Sequence, residues 1–396
     1  MDKDVSGKAT VRLYEVDSHM KEFDAKILKC EKNGDLYDVV LDRTAFFPEG
    51  GGQAADTGRI DGAFVSDVKI HDGVIHHKAD SPLKVGENLH CVLDFEQRFR
   101  RMQNHSGEHI LSGLIHRIFG YDNIGFHMGH EDVSIDFNGI LTESDVQKIE
   151  LLANRAVTEN VSVICEYPMP ERLAKMSYRS KLNLSENVRI VTIEGYDCCA
   201  CCAPHVSRTG EIGIIKLLGT EKNKGGTRIH FLCGFDALDD YNKRYHMIAE
   251  AAQALSVKQS GLGDAFRRLS TELDDVKSKN RALRSELFAL KMSQIEPTDG
   301  NLCLFEEELS NLDLIRIMNE GVLKCGGVCA VFTPKEGSDS TFSFVCGSRK
   351  GNMKAYAARL KEALGAKCGG TDEMIQGCIS AEREKILKYF DEEINK

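Results

Sequence analysis

Two short motifs, almost a hundred residues apart, constrain this chain more than anything else in it. The first is Asn104-His105-Ser106-Gly107-Glu108-His109, inside an apolar run that continues through Ile115. The second is Asp197-Cys198-Cys199-Ala200-Cys201-Cys202-Ala203-Pro204-His205. Helical residues four apart share a face, about 5–6 Å apart at Cβ, so His105 and His109 can both reach one ion. Cys201 and His205 repeat the four-residue spacing. Imidazole and thiolate donors in a tetrahedron suit zinc. A fold that uses both motifs must bring two distant segments to one point. A bare His pair on an apolar helix is more often structural than metal-binding, and the second pair at ligand spacing tips the balance to a metal. Cys198, Cys199, Cys201 and Cys202 also contain C-x-x-C pairs, which read as a redox motif or a Cys-rich zinc site. No second C-x-x-C follows at finger spacing, and that reading ranks lower.

A length of 396 residues predicts two to four domains with ample chain for buried cores. Met1-Asp2-Lys3-Asp4 lacks the layout of a signal peptide, and no run approaches the ~18 apolar residues of a membrane span. Fourteen cysteines in a long chain without an export signal read as reduced thiols, some of them ligands, in a cytosol. A formal net charge of −10 argues against indiscriminate nucleic-acid binding and leaves room for a local basic surface that reads a structured RNA.

In chain order, the pattern is α+β and multidomain. Residues 1–95 alternate short β-rich runs with Gly and Asp turns: Ala25–Cys30, Tyr37–Leu41, Ala63–Val65 and Cys91–Leu93. They predict a small antiparallel β-barrel. Within it lies Phe46-Phe47-Pro48-Glu49-Gly50-Gly51-Gly52-Gln53, whose glycines either let backbone approach a ligand closely or form a hairpin tip. Residues 96–235 carry the metal motifs. They open on a basic run, Arg98 to Arg101, which either meets phosphate or is a solvated helix face. Gly125-Phe126-His127-Met128-Gly129 follows, then a strand-like Val133–Phe137, helical patterns near 144–160 and 169–181, and a strand at Thr227–Gly234. Residues 236–296 are helical. Phe266, Leu269, Leu273, Val276, Asn280, Leu283, Leu287 and Leu290 alternate gaps of three and four, an a/d seam with Asn280 at a. It fits a dimeric coiled coil or a helix folded back on its own chain, with Gly261 and Gly263 at the bend. Residues 297–396 alternate strands and helices as an α/β module, with a glycine stretch at Lys367–Gly377 that either cradles phosphate at a helix start or caps a helix.

Together these residues resemble the long form of AlaX-type alanyl-tRNA editing proteins, free-standing relatives of the editing half of alanyl-tRNA synthetase. The resemblance spans nearly the whole chain in order: the Phe46–Gln53 glycine motif, the H-x-x-x-H at His105, Asp197 with Cys201 and His205, Thr209–Gly213, the coiled segment and the Gly369–Gly377 region. It implies hydrolysis of serine, with glycine the second candidate, wrongly attached to alanine tRNA. It also implies zinc on His105, His109, Cys201 and His205 as the catalytic centre, and a C-terminal domain that dimerises and binds tRNA. Candidate substrate-binding residues are Gly51, Gly52, Gln53 and Arg101, together with His127 and Ser134 as readers of the serine hydroxyl. An alanine pocket cannot strongly reject an analogue that only adds a hydroxyl, which is why editing needs a second site. One departure stands out: the synthetase has Gly-Gly-Thr between its Cys and His, and this chain has Cys202-Ala203-Pro204. Two other readings stay open, a zinc hydrolase of a small-molecule ester and a non-catalytic tRNA-binding dimer with structural zinc.

Overall fold

The structure is a computed structural model that describes residues 9–129, 133–180, 188–307, 309–335, 337 and 340–392. It divides into two compact units, Met1–Ala251 and Ala252–Lys396.

The first unit contains, among its early strands, β1 (Glu22–Asn33), β2 (Leu36–Leu41), β3 (Gly58–Ile60), β4 (Ala63–His71), β5 (Val74–Ala79) and β6 (Asn88–Leu93). Every predicted strand of this region falls within one of them. All pairings are antiparallel and run β1-β2-β5-β4-β3-β6, with β6 returning to β1, so the hydrogen-bonded ring is closed. The reason is visible along β1, where Phe23, Ala25 and Ile27 are buried and Glu22, Asp24 and Lys26 are exposed. A period of two puts one set of side chains inside the ring, where they meet Phe46, Ile60, Val65 and Ile75.

Helix α1 (Phe95–Phe119) starts at Asp94, whose side chain accepts from the Gln97 amide, and stops at left-handed Gly120. Its middle, Met102 to Ile115, is buried throughout. It packs with α2 (Glu143–Glu159) against a four-stranded sheet of β7 (Asn123–Met128), β8 (Val133–Phe137), β12 (Ile215–Asn223) and β13 (Gly226–Cys233), in the order β12-β13-β8-β7. A smaller sheet joins β9 (Val163–Glu166), β10 (Ile190–Ile193) and β11 (Asp197–Ala200). The helix expected at 169–181 is a single turn, Pro170–Leu173, and 181 lies outside the described residues. The chain instead runs extended at Arg179, whose backbone bonds Cys198 and Ala200 on β11 at 2.8 and 2.9 Å. Helix α3 (Gly234–Ala254) follows β13.

The second unit holds α4 (Leu262–Gln294) and an α/β module. Its strands are β14 (Leu302–Phe305), β15 (Val328–Pro334), β16 (Thr341–Ser348), β17 (Lys367–Gly370) and β18 (Met374–Ser380), ordered β14-β15-β16-β18-β17. Helices α6 (Met353–Leu364) and α7 (Arg383–Glu392) pack on one face, through Tyr356, Leu360 and Phe390. Helix α5 (Asn311–Gly321) and the end of α4 cover the other, through Leu314, Ile317 and Met292. Lys367–Gly377 is thus a hairpin of β17 and β18 whose turn meets the start of α6, where the Asp372 carbonyl accepts from the Met353 amide at 3.0 Å, in keeping with the helix-cap alternative. The seam on α4 faces outward, with Phe266, Leu269, Leu273, Val276, Leu283, Leu287 and Leu290 each 50–67% exposed. Among the described residues no helix is long and apolar enough to cross a membrane.

Candidate metal centre

The centre is assembled where the ring meets α1. Arg98, on the first turn of α1, is fully buried and donates from Nε to Asp56 at 2.8 Å and to the carbonyls of Ala45 and Ser18 at 2.6 and 3.2 Å. Asp56 also accepts from the Phe47 amide at 2.7 Å. This pair locks both ends of the glycine motif onto the helix. Between them Gly50 and Gln53 exchange two backbone hydrogen bonds of 3.0 Å, an ordered tight turn. Gly52 has φ +85°, and a Cβ on it would lie 2.7 Å from the Phe126 carbonyl oxygen on β7. Only glycine lets the turn lie that close. The turn therefore places Gln53, 1% exposed, against α1.

His105 and His109 follow on one face of α1, 3% and 2% exposed. Nδ1 of His105 lies 2.9 Å from Oε1 of Gln53, and Nδ1 of His109 lies 2.8 Å from Oδ2 of Asp197. Both partners are acceptors, so both Nδ1 atoms carry the hydrogen and Nε2 is left as a lone-pair donor. Asp197 comes from β11, and a Cβ on Gly113 would lie 2.3 Å from the Tyr196 carbonyl oxygen and 2.8 Å from the Asp197 Cβ. Gly113, one turn beyond His109, is what lets this strand approach the helix. His205, 1% exposed, has its Nδ1 3.1 Å from the Ser106 hydroxyl. Cys201 and His205, unlike the first pair, do not sit on a helix. They flank a loop held by Arg189, which donates to the carbonyls of Cys201 and Ala203 at 3.1 and 2.8 Å.

The result is one knot of four donors. Cys201 Sγ lies 3.6 Å from Nε2 of His105 and 3.4 Å from Nε2 of His205. The ligand atoms of His105, His109, Cys201 and His205 all fall within 4.8 Å of one another. Zinc at its usual bond lengths holds tetrahedral N and S ligands about 3.6 Å apart, so the donor set fits that ion. Asp197 is in turn held by Arg179, whose Nε and Nη2 donate at 2.7 and 2.8 Å.

The charges follow the geometry. Burial opposes the Cys201 thiolate, whereas a proton on His105 or His205, or one shared from Nε2 of His105 or His109, draws the thiol well below its ordinary value, so the sulfur ionises readily beside any positive charge held by this cluster. Burial likewise opposes the ionised Asp197, and hydrogen bonds from His109 and Arg179 overcome it and keep its carboxyl low. Burial lowers His205 to about 3, which keeps its ring a neutral donor.

The other expected residues are placed less uniformly. His127 pairs with Ser134, and Ser134 with His230, so the three side chains share one face of the sheet. Phe126 points to the opposite face, with its ring 5.0 Å from that of His105. Strand parity therefore turns His127 and Ser134 away from the donors, and the reading of both as neighbours of the metal is corrected. The basic run is also largely spent within the protein: Arg98 on Asp56, Arg100 on Glu96, Asp236 and Asp239, and Arg101 on the Ala55 carbonyl at 2.6 Å. Gly51 sits beside Cys202, whose sulfur would be 3.9 Å from its Cβ. Sequence reasoning assigned no role to Glu108, whose Oε1 accepts from Ser112 at 2.6 Å and from Asn123, with Oε2 3.8 Å from Nε2 of His109. Its signal was available: a carboxylate directly beside the second His of H-x-x-x-H. A cleft of about 530 Å³ adjoins Asp197 and is lined by Asn123, Arg117, Tyr178, Arg179 and Tyr196, and by none of the four donors.

Comparison with known proteins places this arrangement. The alanyl-tRNA editing protein AlaX-L of Pyrococcus horikoshii is 30% identical over 397 residues, spanning 95% of this chain and 96% of the relative. This chain belongs to the AlaX-L family of alanyl-tRNA editing proteins. The AlaX-L resemblance read from the motifs is thus established. Alanine–tRNA ligases match as well: that of Ignicoccus hospitalis is 34% identical over 74% of this chain, and that of Pyrococcus furiosus 35% over 72%, each match covering 33% of the ligase. The chain spans about a third of those enzymes. Residues 188–230 match the threonyl and alanyl tRNA synthetase second additional domain, and residues 7–97 match tRNA synthetases class II (A). The crystal structure of the C-Ala domain from Aquifex aeolicus alanyl-tRNA synthetase aligns with 26% of this chain and 97% of its own, at 19% identity and a TM-score of 0.22.

Proposed function

We propose that this AlaX-L member is a trans-editing hydrolase that removes serine, and secondarily glycine, from mischarged alanine tRNA. The observation that carries the reading is the set of anchored imidazoles, each turned by an Nδ1 partner so that Nε2 faces the Cys201 thiol, in a chain of this family. We assign zinc to His105, His109, Cys201 and His205. Bound there, zinc supplies Lewis-acid polarisation at the ester.

The remaining work falls to the chain. Glu108 has one oxygen fixed by Ser112 and Asn123 and the other 3.8 Å from Nε2 of His109, which sets a carboxylate at the edge of the donor set. Burial of the cluster excludes bulk water and strengthens each polar contact there. Gly51, Gly52, Gln53 and Arg101 form the side of the site built from the ring and the first turns of α1. The overall reaction adds water across the aminoacyl ester and releases free amino acid and tRNA. Residues 1–95 and 96–235 supply this centre. Residues 236–296 and 297–396 supply a dimerising helix and a tRNA-binding module, with the exposed α4 seam as the dimer contact. Four protein donors also fill a tetrahedron, which favours, as a second reading, a zinc that only builds the site.

The test uses purified protein and alanine tRNA charged with serine, glycine or alanine. Seryl-tRNA is expected to be hydrolysed fastest, with loss on chelation and recovery on adding zinc. Failure to release serine from the tRNA under any metal condition would refute the hydrolase. Hydrolysis that survives complete zinc removal in a folded protein would support the second reading of the metal.

A further inference from the structure

Gln53 carries a feature that its support of His105 does not explain. Its side chain is 1% exposed, its Oε1 takes the His105 hydrogen bond, and its amide Nε2 has no hydrogen-bond partner among the described residues. A buried unpaired N–H is costly, and amide groups flip when that finds them a partner. Here the flip is blocked. Once Nε2 of His105 serves a metal, its Nδ1 must carry the hydrogen, and Gln53 must present oxygen to it. The unsatisfied donor is therefore a consequence of the metal-facing orientation of His105. The turn that holds Gln53 leaves it no freedom to escape, because Gly50–Gln53 is closed by two backbone hydrogen bonds and pressed on Phe126.

We propose that the Gln53 amide is a substrate donor, reserved for the carbonyl oxygen of the aminoacyl ester and strengthened as that oxygen becomes an oxyanion. This deepens the proposed function and rests on it. A fixed donor in a dry site, aimed at charge that develops only in the transition state, is the arrangement that lowers a barrier without reorganisation. The carbonyl is common to seryl, glycyl and alanyl esters, so Gln53 sets rate rather than selectivity. One side chain thus serves two partners: oxygen to the ligand His105, nitrogen to the substrate.

The two roles separate by substitution. Gln53→Glu keeps an oxygen for His105 Nδ1 and removes the donor, whereas Gln53→Met removes both. Zinc content by metal analysis, zinc affinity by chelator competition, and kcat and KM on seryl- and glycyl-alanine tRNA are measured for all three proteins. A further measurement is the affinity for an RNA hairpin of the acceptor end bearing a non-hydrolysable 3′-seryl amide, against the same RNA uncharged. The expectation for Gln53→Glu is full zinc, kcat down about 10²–10³-fold on both esters, and loss of the preference for the amide-bearing RNA. Gln53→Met is expected to lose zinc affinity as well. A Gln53→Glu protein with wild-type kcat overturns the proposal and leaves Gln53 as a support for His105 alone. Slowing confined to the seryl ester also overturns it, since the amide would then read the hydroxyl. A wild-type protein that hydrolyses no mischarged tRNA overturns the proposed function itself, and the donor with it, whatever the zinc results.

Discussion

Replacing Asp197 by Asn tests whether the metal centre is organised from behind. Asp197 accepts three hydrogen bonds, from His109 Nδ1 at 2.8 Å and from Nε and Nη2 of Arg179 at 2.7 and 2.8 Å. Its Oδ2 serves two of these, so the asparagine oxygen will take that position. The new NH₂ then faces the Nε–H of Arg179, donor against donor. One charge-assisted bond is lost and the guanidinium, 17% exposed, loses its counter-charge. A hydrogen bond to a charged group is worth about 1.5–3 kcal/mol, so the zinc-free fold should weaken by that order. The His109 ring keeps an acceptor, but a neutral one that makes Nε2 less basic and fixes the ring less firmly. Loss of such support costs about 10–100-fold in metal affinity, or roughly 1.4–2.8 kcal/mol. Urea unfolding of the zinc-free protein gives the first quantity, and competition with a fluorescent zinc chelator gives the second. A folded Asp197→Asn protein whose zinc Kd stays within about threefold of wild type would refute the argument that Asp197 orients His109.

His105→Ala and Cys201→Ala should each lose stoichiometric zinc by metal analysis, whereas Cys198→Ser and Cys202→Ser should keep it; full occupancy in both ligand variants would sink the assignment. Leu273→Lys with Leu287→Lys puts charge into the outward seam of α4 and should convert a dimer to a monomer by light scattering, and a wild type already monomeric at micromolar concentration would dispose of the dimer. His77 is buried and donates Nδ1–H to the Val39 carbonyl at 3.0 Å, with burial pushing its pKa from 6.5 down to about 4. Below pH 6.5 the unfolded chain takes up a proton that the folded one refuses, so stability should be level above that value and fall between 6.5 and 4 by up to roughly 3 kcal/mol. Urea midpoints across this range should show a steeper fall for wild type than for His77→Gln. Arg98→Met strands Asp56 in the seam between ring and helix and should cost about 3–5 kcal/mol in urea unfolding; a loss under about 1 kcal/mol would count against the clamp.

The donors were legible because ligand spacing is written in the chain, and because a buried helix forces His105 and His109 onto one face. The same spacing works without a helix at Cys201 and His205, where an Arg189-held loop does what a helical turn does at His105 and His109. His127 and Ser134, by contrast, were misplaced. Nearness in sequence to the His helix says nothing about which face of a strand a side chain takes, and a one-residue change of parity moves it across the sheet. The run Arg98 to Arg101 looked like available charge, and only tertiary structure reveals that Asp56, Asp236 and Asp239 consume it. Strands in the first ninety-five residues were readable from period two, but the closure of β6 onto β1 is a long-range pairing that no local pattern carries.

The departure at Cys202-Ala203-Pro204 shows what this centre tolerates. Ala203 is fully buried in the ring's core cluster, and its carbonyl is one of the two that Arg189 holds. The loop between Cys201 and His205 is thus anchored by its backbone and by one small apolar side chain, and its remaining side chains are free to differ. Cys202 uses that freedom to place a sulfur beside Gly51, on the turn that carries Gln53. The ligand loop and the glycine turn are therefore in contact, and through Gln53 the turn bears on His105. Zinc affinity and the position of the Gln53 amide should be coupled through this contact. The ring contributes none of the four clustered donors, yet it supplies the partner that decides which nitrogen of His105 is offered.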